Sequence, residues 1–156
     1  MSVLFVCLGN ICRSPIAEGI FRKLANEANE NIKIDSAGTG SWHIGERSDP
    51  RARRVGEMNG CPMNHLARQL QSKDFEEYDH IVVMDAANMR DVLAWPGARK
   101  EKISYLLQWD PDNDDLEVPD PYYGEEDGFD NVYAMCYSAC ENLLSAIVNS
   151  RRIVEP

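Results

Sequence analysis

The sequence predicts an α/β fold: a single domain, residues 1–156, built on an open parallel sheet of four strands with helices on both faces. Three observations predict it. Short runs rich in β-branched and aromatic residues recur at 3–6, 32–35, 80–84 and 102–106. Segments with apolar residues at helical spacing separate them. The first strand, helix and second strand follow in so short a span that they read as a right-handed parallel βαβ unit.

Val3 to Val6 forms the first strand and stops at Cys7. Ser14 reads as the N-cap of the next helix and Pro15 as its first residue. That helix runs to Ala28, with Ala17, Ile20, Phe21, Leu24 and Ala28 on one face. Ile32 to Asp35 is the second strand, ending in Ser36-Ala37-Gly38. A loop from Thr39 to Ser48 holds Trp42 and His43; Asp49-Pro50 starts a helix and Gly60 ends it. Asn64 to Leu70 carries His65. His80 to Met84 is the third strand, and Asp85 follows as N-cap of a helix over 86–94 that Pro96-Gly97 stops. Lys102 to Leu106 is the fourth strand. Gln108 to Asp130 is a long, acidic loop rich in proline and glycine, which reads as functional. Phe129 to Ser150 is a closing helix, with Val132, Cys136, Cys140, Leu143 and Ile147 on one face; the two cysteines read as core thiols.

The stretch from Cys7 to Ser14 organises the rest. A strand end, a tight loop containing Gly9 and a helix N-terminus point several backbone N–H groups at one spot, with the positive end of a helix dipole behind them. Such a spot suits a dianion. Arg13 at its rim can grip two oxygens with a planar fork. The same N–H groups favour the thiolate form of a cysteine at the loop's base, which makes Cys7 a nucleophile. In open α/β sheets ligands bind beyond the carboxyl ends of the strands, and Cys7, Ser36 and Asp85 all lie at such ends. Asp85 is either an N-cap alone or also a partner of Arg13.

Bulk properties narrow the function further. The formal net charge of −10 argues against nucleic-acid binding, and it makes attraction of a phosphate local, through the loop, Arg13 and the Arg51, Arg53, Arg54 cluster. No apolar run is long enough for a membrane span, and no leader peptide is expected. Five cysteines with no ladder spacing read as reduced thiols in a cytoplasm. Cys136 and Cys140 offer too few ligands for a metal.

The segments CLGNICRS, SPIAEGIFRKL, DSAGTGSWHIG, SDPRA, ARQL, VVMDAANMRD and DPYYG span nearly the whole chain. Together they resemble the low-molecular-weight protein tyrosine phosphatases. The resemblance implies a flavodoxin-like strand order, 2-1-3-4. It implies hydrolysis of phosphotyrosine in proteins, and of small aryl phosphates, through a cysteinyl-phosphate intermediate, with no cofactor and no metal. Cys7, Arg13 and the general acid Asp120 would be catalytic, in a phosphate loop of Leu8, Gly9, Asn10, Ile11, Cys12 and Ser14. Ser36 and His65 would hold the Asn10 side chain. Trp42, Tyr122 and Tyr123 would line the substrate pocket with Ile11, where relatives resembling arginine phosphatases carry threonine. Cys12 would trap oxidised Cys7 as a disulfide. The protein is expected to be a monomer or weak dimer.

Two rivals share parts of this pattern. An arsenate reductase needs a relay of cysteines after the third strand, and residues 82–100 contain none. A non-catalytic phosphate-binding module would be expected to lack Cys7, Arg13 or Asp120, and all three are present.

Overall fold

β1 (Ser2–Cys7) lies between β2 (Lys33–Gly38) and β3 (His80–Val83), with β4 (Ile103–Tyr105) beyond β3, in a parallel sheet of order 2-1-3-4. The computed structural model describes residues 1–125 and 127–154, with side chains up to residue 151. A strand covered on both faces needs an unbroken apolar run, and Val3, Leu4, Phe5 and Val6 are all fully buried. Their alternation then sorts the helices. Val3 and Phe5 pack into one cluster with residues of α1 (Arg13–Glu27), α2 (Pro50–Met58) and α5 (Asp127–Val154). Leu4 and Val6 pack into another with Phe75 of α3 (Asp74–Glu77) and Val92 of α4 (Ala86–Leu93). Phe5 meets Phe21 edge to face, ring centroids 5.6 Å apart, joining strand to helix beneath the loop that follows.

Four local expectations are corrected. Ser14 does not cap α1: the helix begins at Arg13, Cys12 takes the cap position, and no side chain bonds the first-turn N–H groups. A capping serine would have occupied one of the donors that the loop leaves open. Ala28 is exposed, because Asn29 turns left-handed (φ 55°) and ends the helix; Ala25 supplies the buried contact instead. The fourth strand is shorter than expected, with a 3₁₀ turn on each side, Lys100–Lys102 and Leu106–Trp109. The turn of helix at Asp74–Glu77 was hidden in a polar stretch whose only apolar anchor is Phe75. The closing helix starts at Asp127, and Glu126 of the preceding long loop lies outside the described residues.

Candidate active site

The β1 and β2 ends meet where the pairing Cys7↔Gly38 finishes. Beyond it the chain turns through Leu8–Cys12 into α1. The turn requires close backbone approach: a Cβ at Gly38 would lie 2.7 Å from the Leu8 carbonyl oxygen. It also requires Asn10 in the left-handed region, φ 58°, which asparagine tolerates better than most residues. The N–H groups of Gly9, Ile11, Cys12, Arg13 and Ser14 have no acceptor among the described residues. Loop and helix N-terminus therefore present a set of open donors around Cys7.

The Asn10 side chain fixes that turn from inside. Its Nδ2 donates to Ser14 Oγ at 2.8 Å and to Ser36 Oγ at 3.0 Å. Its Oδ1 accepts from the Arg68 N–H at 2.9 Å and from His65 Nε2 at 2.7 Å. Behind it, Ser36 Oγ donates to Glu18 Oε1 at 2.7 Å, and His65 Nδ1 faces Glu18 and Asp35 at 3.3 and 3.4 Å. The directions matter. An amide nitrogen only donates, so Ser14 Oγ accepts from Asn10, and its own hydrogen goes to Cys7 Sγ, 3.0 Å away, or to the Ala37 carbonyl at the longer 3.5 Å. The Asn10 N–H also points at Cys7 Sγ, at 3.3 Å.

Arg13 is only 2% exposed, yet keeps its charge satisfied. Its NH1 donates to Asp85 Oδ2 at 2.6 Å and to the Val118 carbonyl at 3.0 Å, and its NH2 lies 3.6 Å from Asp120 Oδ2. Burial opposes the charge, but Cys7 and Asp85, with Asp120, outweigh it and raise the guanidinium above its ordinary value. Asp85 holds both positions that its place at a strand end allowed. Its Oδ1 caps α4 through the Asn88 N–H at 2.8 Å, while Oδ2 takes Arg13.

Asp120 reaches the site from the long loop. Val118 is fully buried and its N–H donates to the Met84 carbonyl at 2.8 Å, which pins the loop to the end of β3. Past it, Asp120 is partly open to solvent, its Oδ1 accepting from the Tyr122 N–H at 3.1 Å. Glu117, in the same loop, instead accepts from the Ala86 N–H at 2.8 Å, at the start of α4. Cys7, Leu8, Gly9, Ile11, Cys12, Arg13, Trp42, Asp120, Tyr122 and Tyr123 all line one cavity of about 290 Å³. Trp42 and Tyr123 stand at its rim, 69% and 92% exposed. Ser36 and His65, placed in support by the resemblance, and Asp85, placed there by its strand end, do not line the cavity.

Sequence reasoning missed several residues. His43 joins the lining, its ring 6.3 Å from that of Tyr122. Asp49 caps α2 by accepting from the Arg51 N–H at 2.8 Å, and also takes the Arg51 guanidinium at 3.0 Å through each oxygen. Arg51 then donates to the Tyr122 carbonyl at 3.0 Å and lies 4.5 Å from the centre of the Phe129 ring. This clasp ties the Asp120 loop to the N-terminus of α2, whose Asp49 N–H donates to the Ile11 carbonyl. The Asp49-Pro50-Arg51 start showed the cap but not its far partner. Burial opposes the Asp49 charge, but Arg51 outweighs it and holds the carboxyl below the usual range. Glu18, Asp35 and His65 bring ligand atoms within 4.8 Å of one another, the geometry of a cation site. Their other contacts go to Ser36, Arg22, Arg68 and Asn10, so they serve as the back wall of the loop.

The thiols divide by surroundings. Cys12 is buried in the loop, and burial, with Asp49 nearby, pushes its thiol up. Cys136 and Cys140 are fully buried; burial pushes Cys136 up to about 12 and Cys140 well above the ordinary value.

The family model described as low molecular weight phosphotyrosine protein phosphatase matches residues 2–152. A human low molecular weight phosphotyrosine protein phosphatase is 45% identical over 148 residues, covering 92% of this chain and 93% of its own. The crystal structure of a protein tyrosine phosphatase from Entamoeba histolytica superposes with a TM-score of 0.92 at 40% identity, covering 97% of this chain and 99% of its own. A Drosophila arginine phosphatase superposes with a TM-score of 0.86 at 32% identity, covering 94% and 98%.

Proposed function

We propose, from the premise that the chain belongs to the low molecular weight phosphotyrosine protein phosphatase family, a division of labour among the residues around its cavity. The protein is a cysteine-based protein tyrosine phosphatase, and its substrates are phosphoproteins. Cys7 Sγ attacks phosphorus, and the bond from phosphorus to the leaving oxygen breaks. The open N–H groups of the loop and the Arg13 fork hold the three equatorial oxygens, with most effect where charge spreads in the transition state. Asp120 gives its proton to the leaving oxygen. Asp120 then takes a proton from the water that attacks the cysteinyl phosphate. Ser14, whose hydrogen Asn10 directs toward Cys7, donates to the sulfur as it departs.

The observation that carries this reading is the convergence on one cavity of a cysteine, a ring of unpaired N–H groups, a buried arginine and a half-exposed aspartate. Positive charge comes from the protein itself, so the reading uses no cofactor. Ile11, Trp42, Tyr122 and Tyr123 give the cavity apolar and aromatic walls that suit a flat aryl phosphate, and Ile11 offers no hydroxyl for a guanidinium. Residues 1–156 act as one phosphatase domain, a monomer or weak dimer working in the cytoplasm without nucleic acid or membrane. Among the described residues no helix is long and apolar enough to cross a membrane.

The test is turnover of p-nitrophenyl phosphate and of matched phosphotyrosine and phosphoarginine peptides, by the parent and by Cys7→Ser. The parent should hydrolyse the first two and prefer phosphotyrosine; Cys7→Ser should fold, bind phosphate and be inert. Substantial activity in the serine variant would remove Cys7 as nucleophile. Preference for phosphoarginine would replace the substrate class.

A further inference from the structure

A second groove adjoins the cavity over Cys7. It has a volume of about 400 Å³ and shares two walls, Leu8 and Trp42, with that cavity. Its other side is the C-terminal part of α4 and the turn beyond, with Asp91, Ala94, Trp95 and Pro96. Trp42 lies against Gly40, where a Cβ would come within 2.0 Å of the ring, and it lines both spaces. Trp95 is half-buried against the second core cluster, which fixes the opposite wall.

The charge in this groove is uncompensated. Asp91 is the one charged residue lining it, and its carboxylate has no ion pair or hydrogen bond among the described residues. Most other acids near the site are engaged: Asp85 and Asp120 with Arg13, Asp49 with Arg51. An unpaired carboxylate in a groove lined by two indoles is a recognisable chemistry. It suits a long cationic side chain whose stem lies on apolar surface and whose head meets an acid, with the indole faces adding cation–π attraction.

We propose that this groove is a specificity subsite, which takes a lysine or arginine close in sequence to the phosphotyrosine of the substrate protein. This rests on the phosphatase reading above and deepens it. The groove adjoins the cavity along Leu8 and Trp42, which puts it within reach of a chain whose phosphotyrosine enters the cavity. The site thus pairs a dianion with the loop donors and a nearby cation with Asp91. A basic residue on the substrate also lessens the long-range repulsion that a protein of net charge −10 exerts on a phosphotyrosine.

The experiment is a set of phosphotyrosine peptides in which a single lysine, or a single glutamate, is moved through the flanking positions on both sides. kcat/KM is measured for the parent, Asp91→Asn and Asp91→Lys, with p-nitrophenyl phosphate alongside. At one position lysine should exceed glutamate by about three- to tenfold in the parent, mostly through KM. Asp91→Asn should shrink that ratio and Asp91→Lys invert it, while p-nitrophenyl phosphate turnover stays unchanged in both. A flat scan, or a lysine preference that both variants retain, overturns the subsite while leaving the catalytic reading intact. A parent unable to hydrolyse p-nitrophenyl phosphate overturns the catalytic reading, and the subsite with it.

Discussion

Two loops meet over Cys7, and they are held in opposite ways. In the Leu8–Arg13 turn Asn10 to Arg13 are buried and Leu8 reaches solvent, and the turn is tied down from inside. Asn10 alone makes four side-chain hydrogen bonds, to Ser14, Ser36, His65 and Arg68. The loop that carries Asp120 is held from its edges: Glu117 on the Ala86 N–H, Val118 on Met84, Arg13 on the Val118 carbonyl and beside Asp120, and the Arg51 clasp at Tyr122. The difference follows from the role proposed for each loop. Donors that meet developing charge must be fixed beforehand, since any reorganisation is lost from the rate. A proton donor needs reach to the leaving oxygen and some solvent contact, and Asp120 sits at that half-open edge. Damage to the first loop should therefore harm every substrate equally. Damage to the second should harm substrates according to their leaving groups.

Asp120→Asn should show the largest contrast. A general acid contributes about 10²–10⁴-fold, and that loss should appear with phosphotyrosine. An activated aryl phosphate, whose phenoxide departs unprotonated, should lose far less. Steady-state rates on both substrates check this. Asn10→Gly keeps the left-handed backbone but removes the four hydrogen bonds. It should slow all substrates by up to about 10²-fold, as a small misplacement of reacting groups does. It should also destabilise the fold by about 1–3 kcal/mol, because buried Ser36 and His65 lose a partner; thermal unfolding measures it.

Arg51→Gln cuts the clasp and leaves both loops chemically complete. It should cost less than the Asp120 change, with the loss again concentrated in poor leaving groups. Its pH behaviour has a definite sign. Asp49 is held below the usual carboxylate range, so the clasp stabilises the folded protein above that range and is lost as pH falls through the lowered value. Arg51→Gln should therefore lower the thermal midpoint at neutral pH and make less difference in acid. The smallest effect on turnover belongs to Cys12→Ser, which should keep near-parental rates. If Cys12 traps oxidised Cys7, as the resemblance implies, the variant should recover less activity than the parent after peroxide and then reductant. Equal recovery would assign Cys12 to packing alone.

The two loops also differed in how far the sequence disclosed them. The first is local. A strand, Gly9, and a helix opening within a few residues of Cys7 declare an anion cradle without any long-range contact. The strand ends carrying Cys7, Ser36 and Asp85 were legible for the same reason, since apolar runs and caps mark them, whereas the strand order came from the resemblance alone. The second loop is not local. Nothing near Asp120 says that Val118 will pair with Met84, and it was singled out only by its likeness to a family segment. The Asp49–Arg51 clasp and the Glu18–His65–Asp35 back wall depend on residues brought together by the sheet, which no spacing rule reveals. Ser14 was misjudged for a related reason. Ser-Pro is a good helix opening taken alone, but here the hydroxyl has stronger partners in Asn10 and Cys7.

The most direct test of this contrast is a leaving-group series. A set of aryl phosphates, from activated nitrophenols to tyrosine, is run on the parent, Asn10→Gly and Asp120→Asn under conditions where the first chemical step limits kcat/KM. Plotted against the leaving-group pKa, Asn10→Gly should run parallel to the parent and below it. Asp120→Asn should fall away steeply, nearly meeting the parent at the best leaving groups. Parallel lines for both variants would mean that Asp120 only shapes its loop, and that the proton comes from elsewhere.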